Sequence, residues 1–374
     1  MPTTFKTRTV CIGGTGRSEQ LKIGGDSPVS IQTMWKEGIV PVLADERALF
    51  SLLDKIENLR SLGCRILRFA VPDAQSAEAL CRIAECCTVP LVADIHFDWR
   101  LALRCLKGNV AKIRINPGNI GSKERVKEVV DACKDKGRAI RIGVNAGSFP
   151  SDIAKQVEDG VLSRAEGLAL TAIREAEVFE ELGFENYVVS LKASDIQETI
   201  EANEAFAEKC PLVPLHVGVT EAGPLIGGIV KSTIAFSYLL KKGIGSTIRV
   251  SLSASPEDEV IAGREILAGC GLYAGGVKIV SCPRCGRNGF DVHAFINRWQ
   301  TKLLSMNKDI TVAVMGCVVN GRGEGKHADI GITGAGDSVV IFKKGKTVRT
   351  IRHENLNILN KNADIAFSEE LESL

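Results

Sequence analysis

No run of apolar residues in this chain reaches the roughly 20 that a bilayer-spanning helix needs. The N-terminus, MPTTFKTRTVCIGGTG, lacks the apolar segment of a signal peptide. The expectation is a cytoplasmic protein with no membrane association. An excess of one charge is also missing: 47 Lys and Arg stand against 45 Asp and Glu, a formal net charge of +2. No nucleic-acid partner is expected of so balanced a chain, and any anion it binds must meet a local concentration of cations. Low-complexity tracts are absent, which argues against a disordered region. No G-x-G-x-x-G turn follows the first strand-like run, which argues against a dinucleotide fold.

Cysteine, by contrast, is plentiful, with 12 in 374 residues. In a large chain without an export signal these do not read as a disulfide framework. Cys64, Cys81, Cys86, Cys87, Cys105, Cys133, Cys210 and Cys270 sit in apolar helical patterns and read as small buried hydrophobes. The vicinal pair Cys86 and Cys87 is poorly placed for an unstrained disulfide.

The length suits a barrel of about 250 residues plus a smaller unit. Eight β-branched runs alternate with amphipathic segments: VSIQTM (29–34), RILRFAV (65–71), PLVADI (90–95), AKIRIN (111–116), AIRIGVN (139–145), YVVSLK (187–192), PLVPLHVGV (211–219) and STIRVSL (246–252). One helix is expected to be capped by Ser122, with Glu124 in its first turn and Gly137 at its end. Eight such units make an α/β fold, a TIM-like (β/α)8 barrel over residues 1–255. The glycine-rich N-terminus reads as a hairpin covering the barrel bottom. From residue 256 to 374 the pattern changes to a smaller α+β domain, with a helix near 292–304 and a closing hairpin around Lys344, Gly345 and Lys346.

Catalytic groups of such barrels project from the C-terminal strand ends. Here those ends carry Gln32 and Thr33; Arg68; Asp94 and His96; Arg114, Asn116 and Asn119; Arg141 and Asn145; Lys192 and Ser194; His216, Thr220 and Glu221; and Arg249, Ser251 and Ser253. Basic residues at five ends of a nearly neutral protein imply a concave pocket for a compact polyanion, since arginine offers paired donors to phosphate oxygens. Glu221 sets one carboxylate after a strand end and is a candidate proton donor.

In the smaller domain, SCPRCGR places Cys282 and Cys285 just after an apolar strand, and MGCVVNGRGEGKHADIG places Cys317 at the end of another. A redox dithiol, a zinc site of three thiolates with His327, and a four-iron cluster on three thiolates with Glu324 or His327 nearby all suit these residues. Spacing alone does not separate them.

RFAVPD, VADIHF, KIRINPGNIG, RIGVNAGS, SLKASD, GVTEAG, TIRVSLS, GGVKIVSCPRCGR and MGCVVNGRGEGKHADIGITG together make the chain closely resemble the 4-hydroxy-3-methylbut-2-en-1-yl diphosphate synthase family, in its two-domain bacterial type. The resemblance runs over nearly the whole length. It implies an iron-sulfur oxidoreductase of the non-mevalonate isoprenoid pathway, whose C-terminal domain is similar to the sulfite and nitrite reductase repeat. It implies a [4Fe-4S] cluster on Cys282, Cys285, Cys317 and Glu324, and 2-C-methyl-D-erythritol 2,4-cyclodiphosphate as substrate. Arg68, Arg114, Arg141, Asn145, Lys192, Arg249 and Ser251 would hold the diphosphate. Asp94, His96 and Asn116 would line the mouth, and Glu221 would protonate the departing hydroxyl. Flavodoxin or ferredoxin would donate electrons, and a head-to-tail homodimer would bring one subunit's cluster to the other's barrel. The chain departs from the family pattern at Arg322, where proline is usual, and at Trp35 and Lys36, where smaller or polar residues are common.

Overall fold

The structure is a computed structural model that describes residues 6–147, 149–283, 285–286 and 289–374; the side chains of Asn320, Arg322 and Glu324 lie outside the description. The chain divides into two compact units, Met1–Tyr273 and Ala274–Leu374.

The first unit opens with an antiparallel hairpin of β1 (Val10–Ile12) and β2 (Leu21–Ile23). Eight parallel strands follow: β3 (Ser30–Met34), β4 (Cys64–Ala70), β5 (Leu91–Asp94), β6 (Lys112–Ile115), β7 (Ala139–Asn145), β8 (Tyr187–Lys192), β9 (His216–Val217) and β10 (Thr247–Ile248). They run in the order β8-β7-β6-β5-β4-β3-β10-β9, and a parallel bridge between Val189 and Leu215 closes the circle. The TIM-like barrel expected from the sequence is present. Its last two strands are far shorter than the runs that announced them. Pro211 and Pro214 have no N–H to give to a ladder, and beyond β9 and β10 the pairing continues as single bonds, such as Arg249 N to Val217 O at 3.0 Å.

The strand pleat sends alternate residues inward. At the lower end Ile66, Val92, Ala139 and Val188 form one apolar cluster with Val10, Ile12 and Ile23, so the hairpin seals the floor. Above that floor the interior turns polar, with Gln32, Lys112, Arg114, Arg141, Lys192, His216 and Thr247 all buried. Ser122 stands at the start of the helix Lys123–Lys136 in extended conformation, but its side chain makes no capping bond; Gly137 ends that helix at φ 62°. The helix Pro256–Gly269 starts on a Ser255–Asp258 capping box, and its Gly263 lies against Ile31 and Ile248. This helix therefore belongs to the barrel unit, and the division expected at residue 255 falls after Tyr273.

The second unit holds one five-stranded sheet in the order of β11 (Lys278–Ser281), β12 (Thr311–Met315), β13 (Ile330–Ala335), β14 (Ser338–Lys343) and β15 (Lys346–Arg352). The first three are parallel and the last two antiparallel, an α+β arrangement. The helices Val292–Leu304 and Leu356–Glu372 share a core with this sheet, around Phe295, which stacks on Trp299 at 5.6 Å and meets Phe367 edge-on at 5.2 Å. Lys344 and Gly345 turn the last hairpin with φ of 46° and 76°, the two-residue left-handed turn that strand twist favours. Among the described residues no helix is long and apolar enough to cross a membrane.

Candidate active site and cluster-ligand cysteines

At the C-terminal end of the barrel strands lies a cavity of about 100 Å³ lined by Arg68, Asp94, His96, Arg114, Arg141, Asn145, Lys192, Thr220, Arg249 and Ser251. Every strand-end residue assigned to substrate from the sequence is in this lining except Asn116. That residue is buried instead at the start of the short turn Pro117–Ile120. Thr220 joins the lining although no substrate role was assigned to it. Glu221 follows Thr220 with an exposed side chain and a left-handed backbone, φ 49°, outside the lining itself.

Asp94 organises one side. Arg114 Nη1 donates to its Oδ1 at 3.0 Å, while Arg68 Nε and His96 Nε2 each stand 3.6 Å from Oδ2. Burial works to raise this carboxyl's proton affinity, but the Arg68 charge, the His96 contact and Arg114 outweigh it and hold the group ionised. Room for Arg114 comes from a glycine: a Cβ on Gly143 would stand 2.4 Å from Arg114 Nε. Gly218 does the same for Lys192, whose Nζ would be 2.6 Å from such a Cβ.

Arg141 donates to Ser190 Oγ at 2.6 Å, and its Nε and Nη2 find no partner among the described residues. Lys192 Nζ lies 3.1 Å from His216 Nε2, and His216 Nδ1 lies 2.8 Å from Thr247 Oγ1. Burial, and then the neighbouring cations, depress the proton affinity of Arg141, Lys192 and His216 well below ordinary values. One layer lower, Lys112 Nζ has no hydrogen-bond partner among the described residues and is pushed down to about 7 by burial and by Arg141 and Arg68. Such a crowd of under-partnered donors is costly when empty and well suited to a multiply charged anion.

A residue with no signature in the sequence holds the far wall. Glu259, fully buried on the helix Pro256–Gly269, accepts from Thr33 Oγ1 at 2.6 Å, from Arg249 Nη2 at 3.2 Å and from Leu252 N at 3.0 Å, and pairs with Lys36 Nζ at 3.1 Å. Lys36 also donates to Leu252 O at 2.9 Å and to Ala254 O. Trp35 is buried, stacked on Phe69 at 5.8 Å. Lys36 thus ties the end of β3 to the segment after β10, while Trp35 packs it against β4.

In the second unit Cys282 follows β11 and Cys317 follows β12 by one glycine, and Cys282 N donates to Val314 O at 3.0 Å. These two buried cysteines therefore sit at the same end of adjacent parallel strands, and Cys285 is exposed three residues on. Glu324 opens the turn Glu324–His327, but its side chain lies outside the described residues, as does that of Arg322. Among the described residues no group of three metal-ligating side chains is already assembled, and none of the cysteines forms a disulfide. The donor set itself, thiolates from two neighbouring strand ends, fits an iron-sulfur cluster. The core cysteines differ in kind: burial pushes Cys64 and Cys133 up to about 12 and Cys87 to about 11, so they stay protonated and inert.

Two family models match, the GcpE TIM-barrel domain over residues 7–264 and the GcpE protein C-terminal domain over 278–363. Curated relatives named 4-hydroxy-3-methylbut-2-en-1-yl diphosphate synthase (flavodoxin) include that of Treponema denticola, 56% identical with 98% of each chain covered. That of Treponema pallidum is 56% identical over 99% of this chain and 92% of its own. That of Ruminiclostridium cellulolyticum is 44% identical over 89% of this chain and 92% of its own. Among solved structures, a Geobacillus kaustophilus 3-dehydroquinate dehydratase is matched at TM-score 0.47 and 14% identity over 73% of this chain and all of that one, too distant to inform function. With both family domains matched in order and relatives this similar over nearly their full length, the chain belongs to the GcpE family, that of the 4-hydroxy-3-methylbut-2-en-1-yl diphosphate synthases.

Proposed function

We propose that the cavity at the barrel mouth binds 2-C-methyl-D-erythritol 2,4-cyclodiphosphate and that the enzyme converts it, by two-electron reduction and loss of water, to 4-hydroxy-3-methylbut-2-en-1-yl diphosphate. The observation that carries this reading is the cluster of Arg68, Arg114, Arg141, Arg249 and Lys192 around one small cavity, faced among the described residues by two buried carboxylates, Asp94 and Glu259. A cyclic diphosphate supplies the missing negative charge and enough oxygen acceptors for Arg141's spare donors.

When the ring opens, the diphosphate oxygen that leaves carbon gains charge, and guanidinium groups already in place stabilise it without reorganising. Asp94 keeps Arg68 and Arg114 aimed, Ser190 fixes Arg141, and Glu259 anchors Arg249. Glu221, next to Thr220 of the lining, supplies the proton with which the hydroxyl departs as water. Cys282, Cys285, Cys317 and Glu324 would hold a [4Fe-4S] cluster, which when bound supplies the electrons. Flavodoxin, which the relatives' names include, or a ferredoxin reduces it. The working assembly is a cytoplasmic head-to-tail homodimer in which one subunit's cysteines serve the other's barrel.

Protein purified without oxygen should be brown, with about four iron and four sulfide per chain. Stoichiometric zinc and no visible absorbance would remove the redox chemistry from this reading.

A further inference from the structure

Beside the cationic cavity lies a larger cleft of about 500 Å³, and Arg249 lines both. Met34, Trp35, Val40, Phe69 and Pro72 give it mainly apolar walls. The charged residues on its border are already engaged: Lys36 by Glu259, Leu252 O and Ala254 O, and Glu37 by Lys55 at 3.2 Å. Nothing fills the cleft from Gly38, where a Cβ would meet no atom within 4 Å. The proposed substrate gives no reason for this space, because its five-carbon skeleton is hydroxylated and its charge belongs in the neighbouring cavity. An apolar cleft that ends on an arginine shared with an anion pocket suits an amphiphile with a charged head and a hydrocarbon tail. At about 30 Å³ per carbon, close to the liquid volume of a water, roughly ten carbons fit with space to spare.

We propose that this cleft takes the hydrocarbon chain of a prenyl diphosphate whose headgroup occupies the cationic cavity, so that prenyl diphosphates longer than the product bind here and compete with substrate. The proposal rests on the reading of the cationic cavity as a diphosphate site. The tail lies along Trp35 and Phe69, and Arg249 marks the junction of head and tail. The competing ligand belongs to the class made downstream of this enzyme's product, once a reductant has removed that product's hydroxyl as water and the five-carbon units have been condensed, so occupancy would throttle the enzyme when such products accumulate.

Calorimetric titration of the full-length, anaerobically prepared protein with inorganic pyrophosphate, geranyl diphosphate and geraniol tests this. Geranyl diphosphate should bind at least about tenfold more tightly than pyrophosphate, equivalent to about 1.4 kcal/mol, and geraniol alone should give no measurable heat. Ala70→Gln, which puts a neutral polar group on the cleft wall, and Gly38→Trp, which fills it, should each abolish that increment while leaving pyrophosphate affinity within about twofold, a sign that fold and anion pocket are intact. Equal affinities of the unmodified protein for the two diphosphates would overturn the tail subsite alone, as would an increment that survives both substitutions. Failure of both diphosphates to bind would overturn the headgroup assignment and the tail subsite with it.

Discussion

Lys192 Nζ and His216 Nε2 lie 3.1 Å apart, both side chains buried in the barrel, with the Nζ of Lys112, which has no partner among the described residues, in the layer below. Lys112 carries a depressed affinity, about 7 against the usual 10.5. Between those values the unfolded chain holds a proton that the folded one does not, so stability rises with pH through this window. Lys192 shifts in the same direction. The buried thiols Cys64, Cys87 and Cys133 act oppositely, but only above their usual 9. Urea unfolding should therefore show stability increasing from pH 7 to 8.5, by up to about 1.4 kcal/mol per unit for one group. Lys112→Met should be more stable than the parent at pH 7 and show a flatter slope; a parent whose stability falls across that range would refute the burial argument.

Gly143 is bare because Arg114 needs the space. Gly143→Ala puts a methyl 2.4 Å from Arg114 Nε, and the guanidinium must turn away from Asp94. The expected outcome is a folded protein, destabilised by about 1–3 kcal/mol, whose affinity for the cyclic diphosphate drops at least about tenfold. Calorimetric binding in the absence of reductant reads this directly, and an unchanged affinity would mean Arg114 does not face the ligand.

Removing the carboxylate of Glu259 strands Arg249 and Lys36 without their shared counter-charge. Glu259→Gln should cost on the order of 3 kcal/mol, because a broken buried pair leaves an uncompensated charge behind. Chemical denaturation checks it; a loss under about 1 kcal/mol would place the network's strength elsewhere.

Two inactive variants should rescue each other if one subunit's cysteines serve its partner's barrel. Arg141→Leu spoils the barrel and Cys317→Ser the cysteine set, so a mixed dimer retains one intact pairing. Exchange of subunits should restore about a quarter of parental activity under random re-association. A mixture as inactive as its components would show that each chain works with its own cysteines.

The limits of the sequence reading follow the same physics. AIRIGVN and YVVSLK give β7 and β8 to the residue, because both are short β-branched runs buried on each face. PLVPLHVGV overstated its strand since two prolines withhold ladder donors. The cationic mouth was legible because basic residues recur at one position of each unit. Lys112 is legible too: the alternation in KIRI puts it on the inward face with Arg114, one layer beneath the strand ends. Glu259 was not, for it stands beside Glu257 and Asp258 in one helical turn, and only packing against β3 decides which is buried. Asn116 has the same kind of side chain as Asn145, yet its place before Pro117 commits it to a turn.

That this chain opens the cyclic diphosphate reductively is decided by its turnover of 2-C-methyl-D-erythritol 2,4-cyclodiphosphate under exclusion of oxygen with reduced flavodoxin, following the linear diphosphate by mass. The parent chain should form 4-hydroxy-3-methylbut-2-en-1-yl diphosphate, Arg141→Leu should lose substrate affinity, Glu221→Gln should bind but turn over slowly, and Cys317→Ser should form none. Full turnover by Cys317→Ser, or no product from an iron-loaded parent chain, would contradict it.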